Sequence, residues 1–209
     1  MYKLYGTKHT STCAIKAALS EAGALFEEVE ITTKANHHMT EEYRKINPRQ
    51  QVPSLKLPDG SIMTEGPAML LHIADAHPEA RLAPSPGSSK RAQHDRWLIF
   101  LAENVNEAGQ RMNYPERFTT DPDGKQAVED SARASMGRHF SIFEDALGNG
   151  PYFFGDSLSM LDIYVWMLAQ WPGRSVAWLK ANCPKIVRVA DTAKARAKMA
   201  PIHEENFGN

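Results

Sequence analysis

The sequence of 209 residues lacks the features that mark several special classes of protein. Lys and Arg total 24 against 25 for Asp and Glu, so the net charge of -1 provides no attraction to nucleic acid or to an acidic membrane. The two cysteines, Cys13 and Cys183, belong to no CxxC pair. This spacing argues against a disulfide scaffold and against a zinc site, and it suits a reducing compartment.

Long apolar runs are also missing. Residues 97–102 form one of the longest apolar stretches and are far too short to span a bilayer. The opening residues MYKLYGTKH lead directly into a strand pattern without the apolar core of a signal peptide. We therefore expect a cytoplasmic protein with no membrane or nucleic-acid partner.

What is present is the composition of an ordinary folded protein. Apolar residues make up 42% of the chain and charged residues 23%, which excludes a disordered chain. The length suits one large or two small domains, each able to bury a core. The stretch 82–88 is rich in proline and glycine and is typical of a linker. We predict domains at 1–81 and 89–209.

The first domain alternates between strand and helix patterns. Residues 2–6 alternate as a strand, residues 11–22 carry apolar side chains at helical spacing, and Gly23 is typical of a helix end. Residues 25–31 alternate again. Two strands joined by a helix in this way are expected to be parallel neighbours with a right-handed crossover.

A second pattern of two strands and a helix follows. We predict a short exposed helix within 32–51, then strands in 52–57 and 61–64 joined by the turn Pro58-Asp59-Gly60. A helix opening with Gly66-Pro67 completes the domain, because proline is tolerated in a first helical turn.

After the linker the strand patterns end. Apolar residues recur at helical spacing in 89–113, in 126–147, in 159–171 and in a last segment from Ile186. Ser159 and Asp162 have the spacing of a helix-capping box. The second domain is therefore predicted to be entirely helical.

Three short motifs carry a resemblance to a known family. Residues 47–55 (NPRQQVPSL), the pair Asp59-Gly60 and residues 64–68 (TEGPA) look like the glutathione-binding run of the cytosolic glutathione transferases, especially the bacterial beta class. The resemblance covers the whole chain. It implies an α/β thioredoxin-like N-terminal domain (βαβ-ββα, mixed four-stranded sheet) followed by an all-α C-terminal domain. It also implies glutathione as co-substrate, no metal, a homodimer and a detoxifying role.

The resemblance assigns five residues to glutathione. The bond between Val52 and Pro53 is expected to be cis and to turn the Val52 backbone outward, where the cysteinyl backbone of glutathione pairs with it. Glu65 would accept from the ammonium group of the γ-glutamyl end, and the Gly66 N–H would meet its carboxylate at a helix start. Gln51 is a further expected contact.

The first helix begins in the run Thr10-Ser11-Thr12-Cys13, where a helix N-terminus favours a bound thiolate. Ser11 occupies the place of the beta-class cysteine, and the run resembles the Ser-Ser-Cys run of the zeta class. We predict that Ser11 donates a hydrogen bond to the thiolate of glutathione. Two alternatives remain open: Ser11 only caps the helix, or Cys13 is the reactive sulfur and the protein is a thiol transferase.

A second substrate is expected between the two domains, against His9, Arg111, Tyr114 and Trp166. The function predicted from all these features is a glutathione transferase that activates the thiol for attack on a hydrophobic electrophile. The alternatives are a zeta-type glutathione-dependent isomerase or dehalogenase, and a non-catalytic glutathione-binding or interaction module. Lys34 or His38 is a candidate for the glycine end of glutathione.

Overall fold

A computed structural model describes residues 1–171 and 176–208. The chain divides into two compact units. The first contains Met1–Ala83 together with the chain from Lys194 onward, and the second is Pro84–Ala193.

The first unit is built on a four-stranded mixed sheet with the order β2-β1-β3-β4. β1 pairs in parallel with β2 and antiparallel with β3, which in turn pairs antiparallel with β4. This is the predicted βαβ-ββα arrangement, and the thioredoxin-like fold is confirmed. The strands are β1 (Tyr2–Gly6), β2 (Phe26–Glu30), β3 (Ser54–Lys56) and β4 (Ile62–Met63).

Three helices accompany this sheet. α1 connects the parallel strands and ends at Gly23, whose φ of 69° is the left-handed conformation that glycine adopts without penalty. Apolar side chains from α1, α3 and the sheet form a core without solvent exposure, including Ile15, Leu55 and Ile73. The helices are α1 (Thr12–Ala22), α2 (Glu41–Ile46) and α3 (Gly66–Ala76), and the 3-10 turns are His37–Met39 and Pro78–Ala80.

The approach of β1 to α1 depends on a glycine. A Cβ atom placed on Gly6 would lie 2.1 Å from Oγ1 of Thr12, a distance that real Cβ contacts do not reach. The absence of a side chain at Gly6 therefore lets the end of β1 pack directly against the first turn of α1.

The second unit is helical, as predicted. α4 continues through one wider π-helical turn, Leu101–Asn106, into α5, and Trp97 packs edge-on against Phe143 with ring centroids 5.3 Å apart. The helices are α4 (Ser89–Phe100), α5 (Glu107–Asn113), α6 (Lys125–Ala146), α7 (Met160–Gln170), α8 (Val176–Asn182) and α9 (Pro184–Lys194), with 3-10 turns at Pro115–Arg117 and Pro122–Gly124.

The predicted capping box begins α7. The carboxylate of Asp162 accepts from the backbone N–H of Ser159 at 2.8 Å and from its hydroxyl at 2.6 Å. It also accepts from the N–H of Phe153 at 2.8 Å. Burial nevertheless raises the pKa of Asp162 to about 6, because removal from water outweighs these three hydrogen bonds.

The predicted end of the second domain at residue 209 is wrong, because the second unit ends at Ala193. From Lys194 the chain joins the first unit, where α10 (Ala200–Phe207) and the residues before it pack on α1. Ion pairs explain this placement: Lys16 lies 2.6 Å from Glu205, and Arg196 holds both carboxylate oxygens of Glu21 at 2.9 and 2.8 Å. Apolar periodicity contains no information about these pairs.

Within the described ranges, none of the helices combines the length and the apolar character that a membrane span requires.

Candidate active site

The topology of the sheet brings two predicted parts of the site to one edge. Tyr5 near the end of β1 is paired with Ser54 at the start of β3. Because this pairing is antiparallel, the loop that leaves β1 toward Ser11 begins beside the segment that enters β3 from Val52. The turn before α1 and the proposed peptide-binding edge are therefore neighbours.

Ser11 occupies the N-cap position of α1, but its side chain makes no capping hydrogen bond. Its backbone is already helical, with φ of -62° and ψ of -4°. Its half-buried side chain makes no hydrogen bond to any residue in 1–171 or 176–208. The alternative that Ser11 is only a helix cap is therefore wrong, and its hydroxyl is available as a donor.

The other two hydroxyls of the run are occupied. The Thr10 hydroxyl lies 2.6 Å from the carbonyl oxygen of Thr7, 2.8 Å from the Thr12 hydroxyl and 3.3 Å from the Thr12 nitrogen. Thr12 itself is buried. Of the three hydroxyls that the sequence places here, Ser11 is the one left without a partner in the described structure.

The prediction that Cys13 is catalytic is not supported. Its side chain is only 1% exposed, and burial raises the pKa of its thiol well above the ordinary range. A nucleophilic or disulfide-forming cysteine needs a thiolate that reagents can reach. Cys13 is instead a small packed residue on the inner face of α1.

A buried hydrogen-bond network fixes the backbone before Val52. The hydroxyl of Tyr43 donates to the carbonyl oxygen of Gln51 at 2.7 Å and lies 2.9 Å from the Ser54 hydroxyl. The side-chain amide of Asn47 donates to the same Gln51 oxygen at 2.8 Å. Tyr43 is 2% exposed, so the expectation of an exposed helix is wrong for this residue.

The edge that follows this network is open. The Val52–Pro53 bond is cis, as predicted. The N–H and C=O of Val52 join no hydrogen bond among the described residues. The side chain of Gln51 is exposed. An extended peptide therefore finds an unused donor and acceptor at Val52.

Glu65 and Gly66 open α3. Glu65 has φ of 65°, a left-handed conformation that costs a non-glycine residue roughly 1 to 3 kcal/mol and is concentrated at functional sites. Its carboxylate contacts the Arg49 guanidinium at 2.8 Å, and the two side chains are 59% and 60% exposed. A Cβ atom on Gly66 would meet nothing within 4 Å, so space remains beside the helix start.

Arg49 was not among the predicted site residues. Its N–H donates to the Asn47 side chain at 3.0 Å, so it belongs to the same loop as Val52. No local pattern in the sequence indicates a contact with Glu65, since the two are 16 positions apart. The Nδ1 atom of His38, a predicted candidate for the glycine end of glutathione, is buried without a hydrogen bond to any described residue.

Two of the residues predicted for a second substrate, His9 and Trp166, differ in their exposure to solvent. His9 follows β1, and its ring Nδ1 lies 2.5 Å from the carbonyl oxygen of Asn206 in α10. Trp166 in α7 has 0% exposure, so its ring offers no surface to a substrate and this assignment is wrong.

The other two predicted residues lie at the end of α5. Arg111 forms an ion pair with Glu107, with Nε at 2.8 and 3.0 Å from the carboxylate oxygens. Tyr114 is 40% exposed and lies under the guanidinium of Arg117 at 4.0 Å. Their role toward a second substrate stays a prediction.

The described residues contain no group of three or more His, Cys, Asp or Glu side chains arranged to hold a metal ion.

Two family models match the chain. Residues 1–75 match the N-terminal domain of glutathione S-transferase, and residues 103–171 match its C-terminal domain. The first match contains both the Ser11 turn and the Val52 and Glu65 segments.

Individual relatives agree over nearly the full length. The uncharacterized GST-like protein YncG of Escherichia coli K12 is 28% identical, over 99% of this chain and 98% of YncG. A maleylacetoacetate isomerase of Pseudomonas aeruginosa is 23% identical over 99% of this chain and 96% of its own length. The crystal structure of a glutathione transferase homolog from Sulfitobacter, with bound glutathione, superposes with a TM-score of 0.88 at 26% identity, covering 98% and 97% of the two chains. The chain therefore belongs to the cytosolic glutathione transferase superfamily.

Proposed function

We propose that the protein binds glutathione and uses the Ser11 hydroxyl to stabilise its thiolate for attack on a hydrophobic electrophile. The observation that carries this proposal is the unpaired Ser11 side chain at the positive end of α1. A free thiol with a pKa of about 8.5 is only a few per cent ionised at neutral pH. A hydrogen bond to a charged acceptor contributes roughly 1.5 to 3 kcal/mol and a helix end roughly 0.3 to 1. Together they lower the thiol pKa by about one to three units.

The glutathione backbone lies along the open edge at Val52, preceding Pro53, with Gln51 as a flanking contact. Glu65 accepts from the ammonium group of the γ-glutamyl end, and the N–H of Gly66 donates to its carboxylate. The glutathione bound in the Sulfitobacter structure supports this ligand. The exposed carboxylate of Glu65 and the open space at Gly66 support this orientation.

One substitution at Ser11 and one at Cys13 test the proposal. Ser11→Ala removes the donor, so we expect the thiolate absorbance of bound glutathione at pH 7 and the conjugation rate with an aryl halide to fall by about tenfold or more. Cys13→Ala is the matched control in the same turn and keeps both. If Ser11→Ala is fully active while Cys13→Ala is inactive, the chemistry belongs to the cysteine. If the wild type binds no glutathione, the whole proposal fails.

A glutathione-dependent isomerase is the second candidate. The Pseudomonas maleylacetoacetate isomerase aligns over nearly the whole chain, and the Ser11-Thr12-Cys13 run resembles the zeta class. Turnover of a maleyl substrate with glutathione, in the absence of aryl halide conjugation, would assign this reaction. Glutathione binding without either reaction would instead indicate a binding module.

The assembly and location follow the family. We propose a homodimer, tested by sedimentation of the purified protein. We also propose a cytoplasmic location, which two free, buried cysteines suit.

A further inference from the structure

The C-terminal helix reaches the loop that carries Ser11 through one residue, Asn206. The Asn206 side-chain oxygen accepts from the backbone N–H of His9 at 3.0 Å, and its carbonyl oxygen accepts from the ring Nδ1 of His9 at 2.5 Å. Asn206 is 4% exposed, so water does not replace these contacts. His9 is two positions before Ser11 and 197 positions from Asn206.

His9 is held in a conformation that needs support. Its φ of 60° lies in the left-handed region, which non-glycine residues adopt at a cost unless their surroundings stabilise it. Because a carbonyl oxygen only accepts, the ring Nδ1 carries a proton and donates. The backbone and the side chain of His9 are therefore both fixed by the same residue.

The helix that provides Asn206 is itself anchored. Glu205 is in contact with Lys16 of α1 at 2.6 Å and with Lys8 of the loop at 3.2 Å. Lys16 also pairs with Glu28 of β2 at 2.9 Å. These ion pairs connect α10 to α1, to β2 and to the loop, so the helix that carries Asn206 is anchored on the first unit.

On the other side, the same loop is fixed by its own hydroxyls. Thr7 donates to the Glu30 carboxylate at 2.5 Å, and Thr10 bonds back to the Thr7 carbonyl at 2.6 Å. Neither contact involves Ser11 or His9. Between Thr7 and Thr10, the conformation of His9 is therefore held by its two contacts with Asn206.

We propose that Asn206 is a positioning residue for the reaction: by holding His9, it keeps the Ser11 hydroxyl aimed at the sulfur of bound glutathione. This inference rests on the proposed role of Ser11. The physical basis is that displacement of a donor by about 1 Å weakens a charge-assisted hydrogen bond strongly, while the binding groups at Val52 and Glu65 stay in place. The C-terminal helix is in this way part of the catalytic machinery.

Asn206→Ala tests the proposal in the full-length protein with glutathione as the probe. We expect the pKa of the bound thiol, followed by thiolate absorbance, to rise by about 0.5 to 1 unit, a three- to tenfold loss of thiolate below that pKa. The dissociation constant for glutathione, measured by calorimetry at a pH where the thiol is protonated in both proteins, should change less than about threefold. Arg196→Gln is the matched control, because it removes the pair with Glu21 in the same C-terminal segment and leaves Asn206 in place. It should leave the thiol pKa unchanged even where it lowers the melting temperature.

Two further variants keep the proposal testable if Asn206→Ala folds poorly. Asn206→Asp retains the acceptor for the His9 N–H and should restore most of the thiolate. His9→Gly removes the ring contact without backbone strain, and the double variant with Asn206→Ala should be no worse than Asn206→Ala alone.

A thiol pKa equal to that of the wild type in folded Asn206→Ala, or additive effects of His9→Gly and Asn206→Ala in the double variant, would overturn the role of Asn206. Wild-type protein that binds glutathione without lowering its thiol pKa would instead contradict the role of Ser11. The two failures are therefore distinguishable.

Discussion

The Oε1 atom of Glu65 lies 2.8 Å from Nη1 of Arg49, in an ion pair that joins the start of α3 to the loop before Val52. Both side chains are more than half exposed, at 59% and 60%, so the pair is screened by water and contributes little to folding. The pair places a carboxylate and a guanidinium side by side in the segment that we propose to bind the γ-glutamyl end of glutathione, which carries an ammonium and a carboxylate.

Glu65→Gln should weaken glutathione binding by about ten- to a hundredfold, because a charge-assisted hydrogen bond to the ammonium contributes roughly 1.5 to 3 kcal/mol. The melting temperature should stay close to wild type. Calorimetric titration with glutathione provides the measurement. Glu41→Gln is the matched control, since Glu41 forms a similarly exposed pair with Arg44 at 3.2 Å. Equal affinity of the Glu65 and Glu41 variants would remove Glu65 from the site.

Tyr43→Phe should raise the dissociation constant for glutathione and lower the stability by about 1 to 2 kcal/mol, because it removes a hydroxyl that bonds Gln51 and Ser54. Thermal unfolding and glutathione titration measure the two effects. Tyr2→Phe is a suitable control, since the Tyr2 hydroxyl makes only a 3.4 Å contact with His77. If the Tyr43 variant loses stability and keeps full affinity, the network supports folding without shaping the Val52 edge.

Gly66→Ser should be tolerated and should tighten glutathione binding by about two- to tenfold, because the added hydroxyl enters open space beside the first N–H groups of α3 and adds one hydrogen bond of roughly 0.5 to 1.5 kcal/mol. Gly6→Ser is the contrasting variant. Its Cβ would meet Thr12 at 2.1 Å, so it should destabilise the first unit. Weaker binding by Gly66→Ser would place the γ-glutamyl carboxylate elsewhere.

Asp162 makes the stability depend on pH in a direction opposite to most carboxylates. Burial raises its pKa from 3.8 to about 6, so the folded protein holds this proton more tightly than the unfolded chain. Its contribution is complete below pH 4 and is lost as the pH rises toward 6, by about 3 kcal/mol. Denaturant unfolding at pH 4, 5, 6 and 7 of the wild type and of Asp162→Asn measures this. Relative to Asp162→Asn, the wild type should lose unfolding free energy as the pH rises from 4 to 7. A difference in unfolding free energy that is constant over this range would show that Asp162 is ionised throughout.

Local sequence patterns identified most elements of the first unit. Alternation at 2–6, helical spacing at 11–22 and the Pro58-Asp59-Gly60 turn correspond to β1, α1 and the connection between β3 and β4. These patterns suffice because strands, helices and turns depend on residues a few positions apart. The Val52 and Glu65 segments were found through their resemblance to a family motif.

The sequence alone does not show which of several adjacent hydroxyl and thiol side chains faces a bound thiol. Thr10, Ser11, Thr12 and Cys13 are adjacent in sequence, and each had a plausible role. Packing decides between them: Thr10 turns back to Thr7, Thr12 fits against Gly6, and Cys13 is buried. Of the four side chains, that of Ser11 is half-buried and makes no hydrogen bond to a described residue, which is why we propose it as the donor.

Periodicity and motifs therefore predict the thioredoxin-like unit, the helical unit and the segments that we propose to bind glutathione, since these features depend on residues close together along the chain. The attachment of the C-terminal segment to α1, the Asn206 contacts with His9 and the Arg49 pair with Glu65 exist only in the folded molecule. They join residues that are 16 to 197 positions apart. Contacts of this kind depend on how whole helices and loops pack together, and a one-dimensional pattern does not record that packing.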